Sequence, residues 1–281
     1  LPRVSVIIAN YNYAAYVGEA ITSALTLDWP ELEVIVVDDG STDGSREIIE
    51  TFRNRVHTII YQDNQGQVGA CNTGFAASSG ERIIFLDADD LLEPSLLKHA
   101  DRVWRPGVSK VQVRMRAVDA QGWPLGSVFP QFGGTPSAQV LRRWAAAVGT
   151  YPTPPGSGNV YARSFLEQIF PLDHAAGTAA DSCCIAAAPF LGDVVTIDLP
   201  LVRYRVHGRN DGAMSRLDRR RFGREMERFQ RVCAFAGGVA RTQGTFMPAN
   251  AWRRSLSVLP YRLASLRLEP AHHPWAGDAR L

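Results

Sequence analysis

The chain has 281 residues, 46% of them hydrophobic and 21% charged, and 30 Lys and Arg against 28 Asp and Glu give a formal net charge of +2. That supplies a sizeable core and excludes global disorder, while the near-neutral balance gives no charge argument for a nucleic-acid partner. No apolar run reaches the ~18 residues needed to span a bilayer, and Leu1-Pro2-Arg3 runs straight into a strand with no secretory leader legible. The four cysteines, Cys71, Cys183, Cys184 and Cys233, show neither disulfide-framework nor zinc spacing, so a reducing, cytoplasmic setting is the expectation.

Val4 to Ala9 reads as a first buried strand, ended by the polar Asn10-Tyr11-Asn12. The periodicity of Val17, Ala20, Ile21, Ala24 and Leu25 predicts a helix over 15–27. Glu33 to Val37 is a second strand, and it runs into Asp38-Asp39-Gly40-Ser41-Thr42-Asp43-Gly44. This is turn chemistry, from which Asp43 or Ser45 can cap a helix through Ile48 and Phe52. A third strand is predicted over 56–61, and Asn64 to Gly69 leads into a small-residue helix ending near Ala77. Strand and helix alternating at this spacing predict a doubly wound, mostly parallel α/β sheet with flanking helices.

The fourth strand carries the most chemistry. Ile83-Ile84-Phe85-Leu86 run directly into Asp87-Ala88-Asp89-Asp90. The acids then stand at the C-terminal end of a buried strand, where open α/β sheets bind ligands. Three carboxylates in four positions repel one another unless a cation gathers them, and Asp-x-Asp suits a hard divalent ion bound to phosphates. The alternative is a solvated turn in which Asp90 caps the next helix.

Beyond Trp104 the pattern changes. Lys110 to Val118 alternates as a strand, 119–122 reads as a hairpin turn, and 129–136 is a Gly/Pro-rich loop. A helix over 138–148 precedes the loop 151–159, rigid at its prolines and open at its glycines as binding loops often are, with Ser157, Gly158 and Asn159 as its candidate ligand contacts. A helix over 180–191 follows, then extended stretches at 194–197 and 201–207. From Arg216 the chain becomes helical and basic: Arg216, Arg219, Arg220, Arg221, Arg224, Arg228 and Arg231 face only Asp218, Glu225 and Glu227. Phe222, Met226, Phe229, Cys233 and Ala236 form one apolar stripe, which can pack on the rest of the protein or, beneath the arginines, rest on an anionic leaflet.

Four segments in order resemble the inverting glycosyltransferases of family two: 4–12 (Val-Ser-Val-Ile-Ile-Ala-Asn-Tyr-Asn), 36–43 (Val-Val-Asp-Asp-Gly-Ser-Thr-Asp), 64–72 (Asn-x-Gly-x-x-x-Ala-x-Asn) and 86–90 (Leu-Asp-Ala-Asp-Asp). They cover the first 105 residues, and Tyr204-Arg205-Val206-His207-Gly208-x-Asn210 looks like the segment closing that family's catalytic domain. The resemblance implies a GT-A fold over 1–215, with a nucleotide-sugar half at 1–105 and an acceptor half at 106–215. A basic helical C-terminal extension occupies 216–281. It puts a pyrimidine nucleotide against Ala9, Tyr11, Asp39, Gly66, Asn72, Asp87 and Ala88, with Asp39 accepting from the base imide. Asp89 and His207 would hold Mn²⁺ or Mg²⁺, and Asp181 would be the general base, with Asp173 as a second candidate because a single acid stands where many relatives carry a pair.

The implied activity is transfer from a UDP- or dTDP-sugar to a hydroxyl of a glycan or lipid-linked acceptor, in bacterial-type surface polysaccharide or glycolipid synthesis. Cytoplasmic work at the inner membrane face is implied with it. Two other readings stand beside this one. An Asp-x-Asp phosphatase would normally place Thr or Val where Asp90 stands, and a non-catalytic sugar-nucleotide or glycan-binding module would bind without turnover.

Overall fold

The computed structural model describes residues 1–132, 134–173, 179–208, 210 and 221–275. The first half alternates as predicted: β1 (Val4–Asn10), α1 (Val17–Leu25), β2 (Leu32–Asp39), α2 (Ser45–Glu50), β3 (Thr58–Gln62), α3 (Gly66–Ala77) and β4 (Arg82–Asp87). Then come β5 (Leu91–Leu92), α4 (Leu96–Val103), β6 (Val108–Val118), β7 (Pro124–Phe129), α5 (Ala138–Val148), β8 (Asn159–Ala162) and α6 (Arg163–Leu166). The chain continues through α7 (Ala180–Leu191), β9 (Asp193–Arg205), α8 (Arg221–Thr242) and α9 (Leu259–Leu268).

Among the described residues nine strands form one mixed sheet, ordered β3-β2-β1-β4-β8-β6-β9-β5, with β7 paired to β6. β3, β2, β1 and β4 are parallel, whereas β8 runs antiparallel to both β4 and β6. Alternation along β1 sends Val4, Val6 and Ile8 to one apolar layer and Ile7 to the other. α1 closes the first layer with Val17, Ala20, Ile21 and Ala24, an i, i+3, i+4, i+7 stripe. α3, α5 and α7 close the second.

Several expectations need correction. Asp90 caps no helix: Leu91–Leu92 pair with β9 as a short strand, and the next helix starts at Leu96. Asp90 turns inward instead, where its Oδ1 accepts the Arg205 N–H at 3.0 Å. The two extended stretches at 194–207 are mostly one strand. Pro200 lies within it, and there the ladder slips from Val113↔Ile197 to Arg114↔Pro200 to Met115↔Val202. Such an irregularity accommodates a residue with no N–H to give. The hairpin turn at 119–122 forms as expected, with Asp119 Oδ1 accepting from the N–H groups of Gln121 and Trp123.

α8 buries Met226, Cys233 and Ala236, with Phe229 beside them, in the same apolar cluster as α5 and α7. Phe222 and Phe229 also meet Tyr261 of α9, at 6.3 and 5.9 Å between ring centroids. The stripe read from the sequence is thus spent on the fold and not held out for a membrane. Arg216, Arg219 and Arg220 and the expected boundary at 215/216 lie outside the described residues. Among the described residues no helix is long and apolar enough to cross a membrane.

Candidate active site

β1 is the point from which the parallel strands proceed in opposite directions, to β2 on one side and to β4 on the other. A crevice opens at the carboxyl ends of strands at such a reversal. Here it is a cavity of about 670 Å³, and Ala9, Tyr11, Asp39, Gly66, Asp87, Ala88, Asp89 and Asp181 all line it.

Tyr11 follows β1, and Asp39 ends the neighbouring β2. Tyr11 is 47% exposed, so a ring face is open to stacking. Asp39 is held from the neighbouring strand: its Oδ1 accepts from Gln62 Nε2 at 2.7 Å and from the Gln65 N–H at 2.9 Å. Its Oδ2 has no partner among the described residues. Asp38 braces the loop from below. It accepts from Asn10 Nδ2 at 2.8 Å and Arg46 Nε at 2.8 Å. Burial pushes the Asp38 carboxyl up, but hydrogen bonds from Ser41, Arg46 and Asn10 outweigh that and hold it below the usual range. Gly40, at φ +81°, lets the loops after β2 and β3 meet, since a Cβ there would lie 2.9 Å from the Asn64 nitrogen.

The acids after β4 take three different environments. Asp87 is pushed up to about 8 by burial first and then by Asp89 and Asp181, against hydrogen bonds from Ser157 and Gln67. Burial, with Asp87 and Asp89, likewise raises Asp90, whose Oδ2 is buried with no hydrogen-bond partner among the described residues. Asp89 stands within 2.9 Å of His207 Nε2, and Asn210 Nδ2 donates to the same oxygen at 3.3 Å. The His207 ring stacks on Tyr16 at 4.8 Å and meets Tyr13 edge-on at 5.8 Å.

Arg205 fixes this corner. It is fully buried, with Nε donating to the Asp89 carbonyl at 2.9 Å, Nη1 to the Ala120 carbonyl at 2.8 Å and Nη2 to Glu19 at 2.7 Å. Its guanidinium also lies 4.9 Å from the centre of the Tyr16 ring.

Asp181 is in the first turn of α7, its Oδ1 accepting the Ser182 N–H at 2.6 Å. Gly156 is what allows Asp181 and Asp87 to share the cavity. A Cβ at 156 would stand 3.1 Å from Asp87 Oδ2 and 3.5 Å from Asp181 Cβ. Asp173, the second base candidate, is exposed and does not line the cavity.

Five predicted contacts are not in the cavity wall. His207, its side chain only 4% exposed, stands behind Asp89. Asn72 forms a reciprocal pair with the Leu172 backbone, 2.9 Å in each direction, so both ends of its amide are occupied. Ser157 is buried behind Asp87, accepting that residue's N–H at 3.1 Å. Asn159 donates to the carbonyls of Pro155 and Gly156 at 2.9 and 3.0 Å, and Gly158 is buried against Pro154. These residues tie the 151–159 loop to β4; the loop's cavity contact is Pro155.

The Glycosyl transferase family 2 profile matches residues 5–170. The chain belongs to glycosyl transferase family 2. An uncharacterized glycosyltransferase of Nostoc sp. is 38% identical over 215 residues, covering 74% of this chain and 66% of that protein. The poly(ribitol-phosphate) β-N-acetylglucosaminyltransferase TarS of Staphylococcus aureus is 34% identical over 128 residues, 43% of this chain and 22% of TarS. The chain therefore spans under two thirds of the length of these curated relatives. Among solved structures, S. aureus TarS 1–349 with UDP superposes with a TM-score of 0.63 at 20% identity, covering 98% of this chain and 72% of that one. The mannosyltransferase PcManGT of Pyrobaculum calidifontis, with GDP-Man and Mn²⁺, gives 0.55 at 23% identity over 96% and 84%. The fold is that of a GT-A transferase.

The PcManGT structure holds Mn²⁺ with its GDP-Man, and Asp89 with His207 offers donors of the kind a divalent cation takes. Among the described residues no cage of three His, Cys, Asp or Glu side chains exists. Asp89 Oδ2 and His207 Nε2 stand 2.9 Å apart as an oxygen and an imidazole donor, and a cation beside them would favour the ionised form of Asp87 and Asp90, which burial and neighbouring acids otherwise disfavour. A cation on two protein ligands takes the rest of its shell from phosphates and water, as Mg²⁺ sites on nucleotides do. Asp89→Ala is therefore expected to abolish the Mn²⁺ dependence of nucleoside-diphosphate binding. Calorimetric titration with and without Mn²⁺ checks it, and an unchanged metal dependence would remove Asp89 from the site.

Sequence reading missed Gln62, Gln65, Gln67 and Arg205. The first three carry no motif signal, since their roles depend on which strand lies beside which. Arg205 had a signal: an arginine within an alternating strand, two residues before His207.

Proposed function

We propose that this family 2 chain transfers a sugar from a UDP- or dTDP-linked donor to an acceptor hydroxyl, inverting the anomeric carbon. The observation that carries the reading is the order in which neighbouring elements deliver groups to one cavity: Asp39 from β2, Tyr11 after β1, Asp87 and Asp89 at the end of β4, and Asp181, which flanks Gly156 together with Asp87. A nucleotide base, its diphosphate and an acceptor hydroxyl need that sequence of partners.

The choice of pyrimidine rests on Asp39. With Oδ1 committed to Gln62 and Gln65, one oxygen is left for the base. Uracil and thymine offer one N–H between two carbonyls, which one oxygen matches. Guanine offers two adjacent N–H donors and would call for both. Asp87 binds the ribose. Asp89 and His207 hold the cation, which when bound supplies Lewis-acid stabilisation to the diphosphate leaving group. Asp181 receives the acceptor proton as its oxygen attacks. A single base on the face opposite the leaving group gives one displacement, hence inversion.

Asp39→Ala is expected to weaken UDP by about 1–3 kcal/mol, the cost of a lost charge-assisted hydrogen bond, and to leave GDP nearly unchanged. Calorimetry with both nucleotides reads this. Equal UDP-to-GDP ratios in mutant and parent would place the base contact elsewhere. Turnover of a UDP-sugar separates a transferase from a module that only binds. The acceptor class we infer is a surface glycan or lipid-linked glycan made at the cytoplasmic membrane face, in polysaccharide or glycolipid biosynthesis.

A further inference from the structure

Among the described residues that line the cavity, Arg228 is the only cationic side chain. It comes from α8, outside the segments the family profile matches. Met226 and Phe229 turn the neighbouring face of α8 onto the core, which directs Arg228 along the flank toward the mouth of the cavity. Its Nη2 donates to Ser182 Oγ at 3.1 Å, and Ser182 in turn gives its N–H to Asp181. The guanidinium is thus one side chain removed from the proposed base. Its side chain is 31% exposed, and Glu225, one turn back, is 4.0 Å from Nη1.

Position decides what such a group can bind. In the proposed reading the donor's diphosphate goes to Asp89 and His207, whereas Arg228 is tied to Ser182, the residue next to Asp181. Arg228 stands on the Asp181 side, where the acceptor hydroxyl must enter. Arg224 and Arg231 lie four residues before and three after it, so α8 carries guanidiniums at one-turn intervals along one flank, the outer two exposed. A planar guanidinium is matched in two hydrogen bonds by the oxygens of a phosphate or carboxylate.

We propose that Arg228 forms an anion subsite for the acceptor, so that the hydroxyl glycosylated at Asp181 belongs to a molecule carrying a phosphate or carboxylate close by. This rests on Asp181 being the base. Within it, the C-terminal helix is a specificity element, and an uncharged acceptor is a poorer substrate than its phosphorylated or uronic counterpart.

The test titrates the full chain, saturated with UDP and Mn²⁺, with glycerol 3-phosphate, glucuronate, glycerol and glucose. The parent is expected to bind at least one of the two anions tenfold or more tighter than its neutral counterpart. Arg228→Gln should erase that preference, and Arg228→Lys, which keeps the charge without the fork, should retain part of it. Thermal melting of both variants controls for folding. If parent and Arg228→Gln bind the anions alike, or the parent binds neither anion better than the neutral compound, the subsite is overturned. A tenfold loss of UDP affinity in Arg228→Gln would give the arginine to the donor diphosphate and overturn it as well. Failure of the parent to bind UDP at all would instead defeat the donor reading above, and anion binding to the nucleotide-free chain would then be read by the same Arg228→Gln comparison.

Discussion

Asp181→Asn is expected to cut turnover by ~10²-fold or more while leaving UDP affinity within about twofold, as for loss of a general base that does not touch the donor. The substitution is nearly isosteric, and Asn Oδ1 can still accept the Ser182 N–H that Asp181 accepts at 2.6 Å. What changes is the other atom: an amide N–H then points where a proton must be received. UDP release from a UDP-sugar in the presence of acceptor gives turnover, and calorimetry gives affinity. Parental turnover in Asp181→Asn would move the base elsewhere, with exposed Asp173 the next residue to replace.

Arg205→Met should be strongly destabilising. The side chain has no solvent exposure, and it ties α1, the acidic turn after β4 and the turn at Ala120 into one corner. Methionine fills much of the volume but strands the Asp89 and Ala120 carbonyls and leaves Glu19 without its partner. Glu19 is 59% exposed and loses little, but each carbonyl left unsatisfied costs about 1–3 kcal/mol. At ~2–4 °C per kcal/mol for a large domain, the melting temperature should fall by roughly 10 °C. The same variant, assayed below its melting point, should bind UDP with weakened dependence on Mn²⁺, because the Asp89 backbone is no longer pinned. A melting temperature within about 2 °C of the parent would show that the guanidinium is not the clamp.

The two halves of the site were unequally legible in the sequence. Asp87 and Asp89 could be read because an apolar run delivers them to a strand end, and Asp39 through the resemblance carried by the motif at 36–43. Both are local signals, and the parallel sheet follows from the same alternation. Asn72 entered with the family motif, and Ser157 and Asn159 as polar residues of a Gly/Pro-rich loop, but the structure gives each of them a backbone partner instead of a place in the cavity wall. Asn72 serves Leu172, a hundred residues away, and Asn159 closes its own loop. Gln62 and Arg228 act across strand and helix packing that periodicity does not encode. The apolar stripe on α8 was legible as a stripe, but only its packing on α7 and α9 says which surface it covers.

The most direct test of the account is a crystal structure of the chain with UDP and Mn²⁺, using anomalous scattering to locate the metal. The account predicts uracil stacked on Tyr11 with its N3–H on Asp39 Oδ2, ribose at Asp87, and a manganese peak bound by Asp89 and His207 with Asp181 open to the acceptor side. A base turned away from Asp39, or a manganese peak bound by neither Asp89 nor His207, would contradict it.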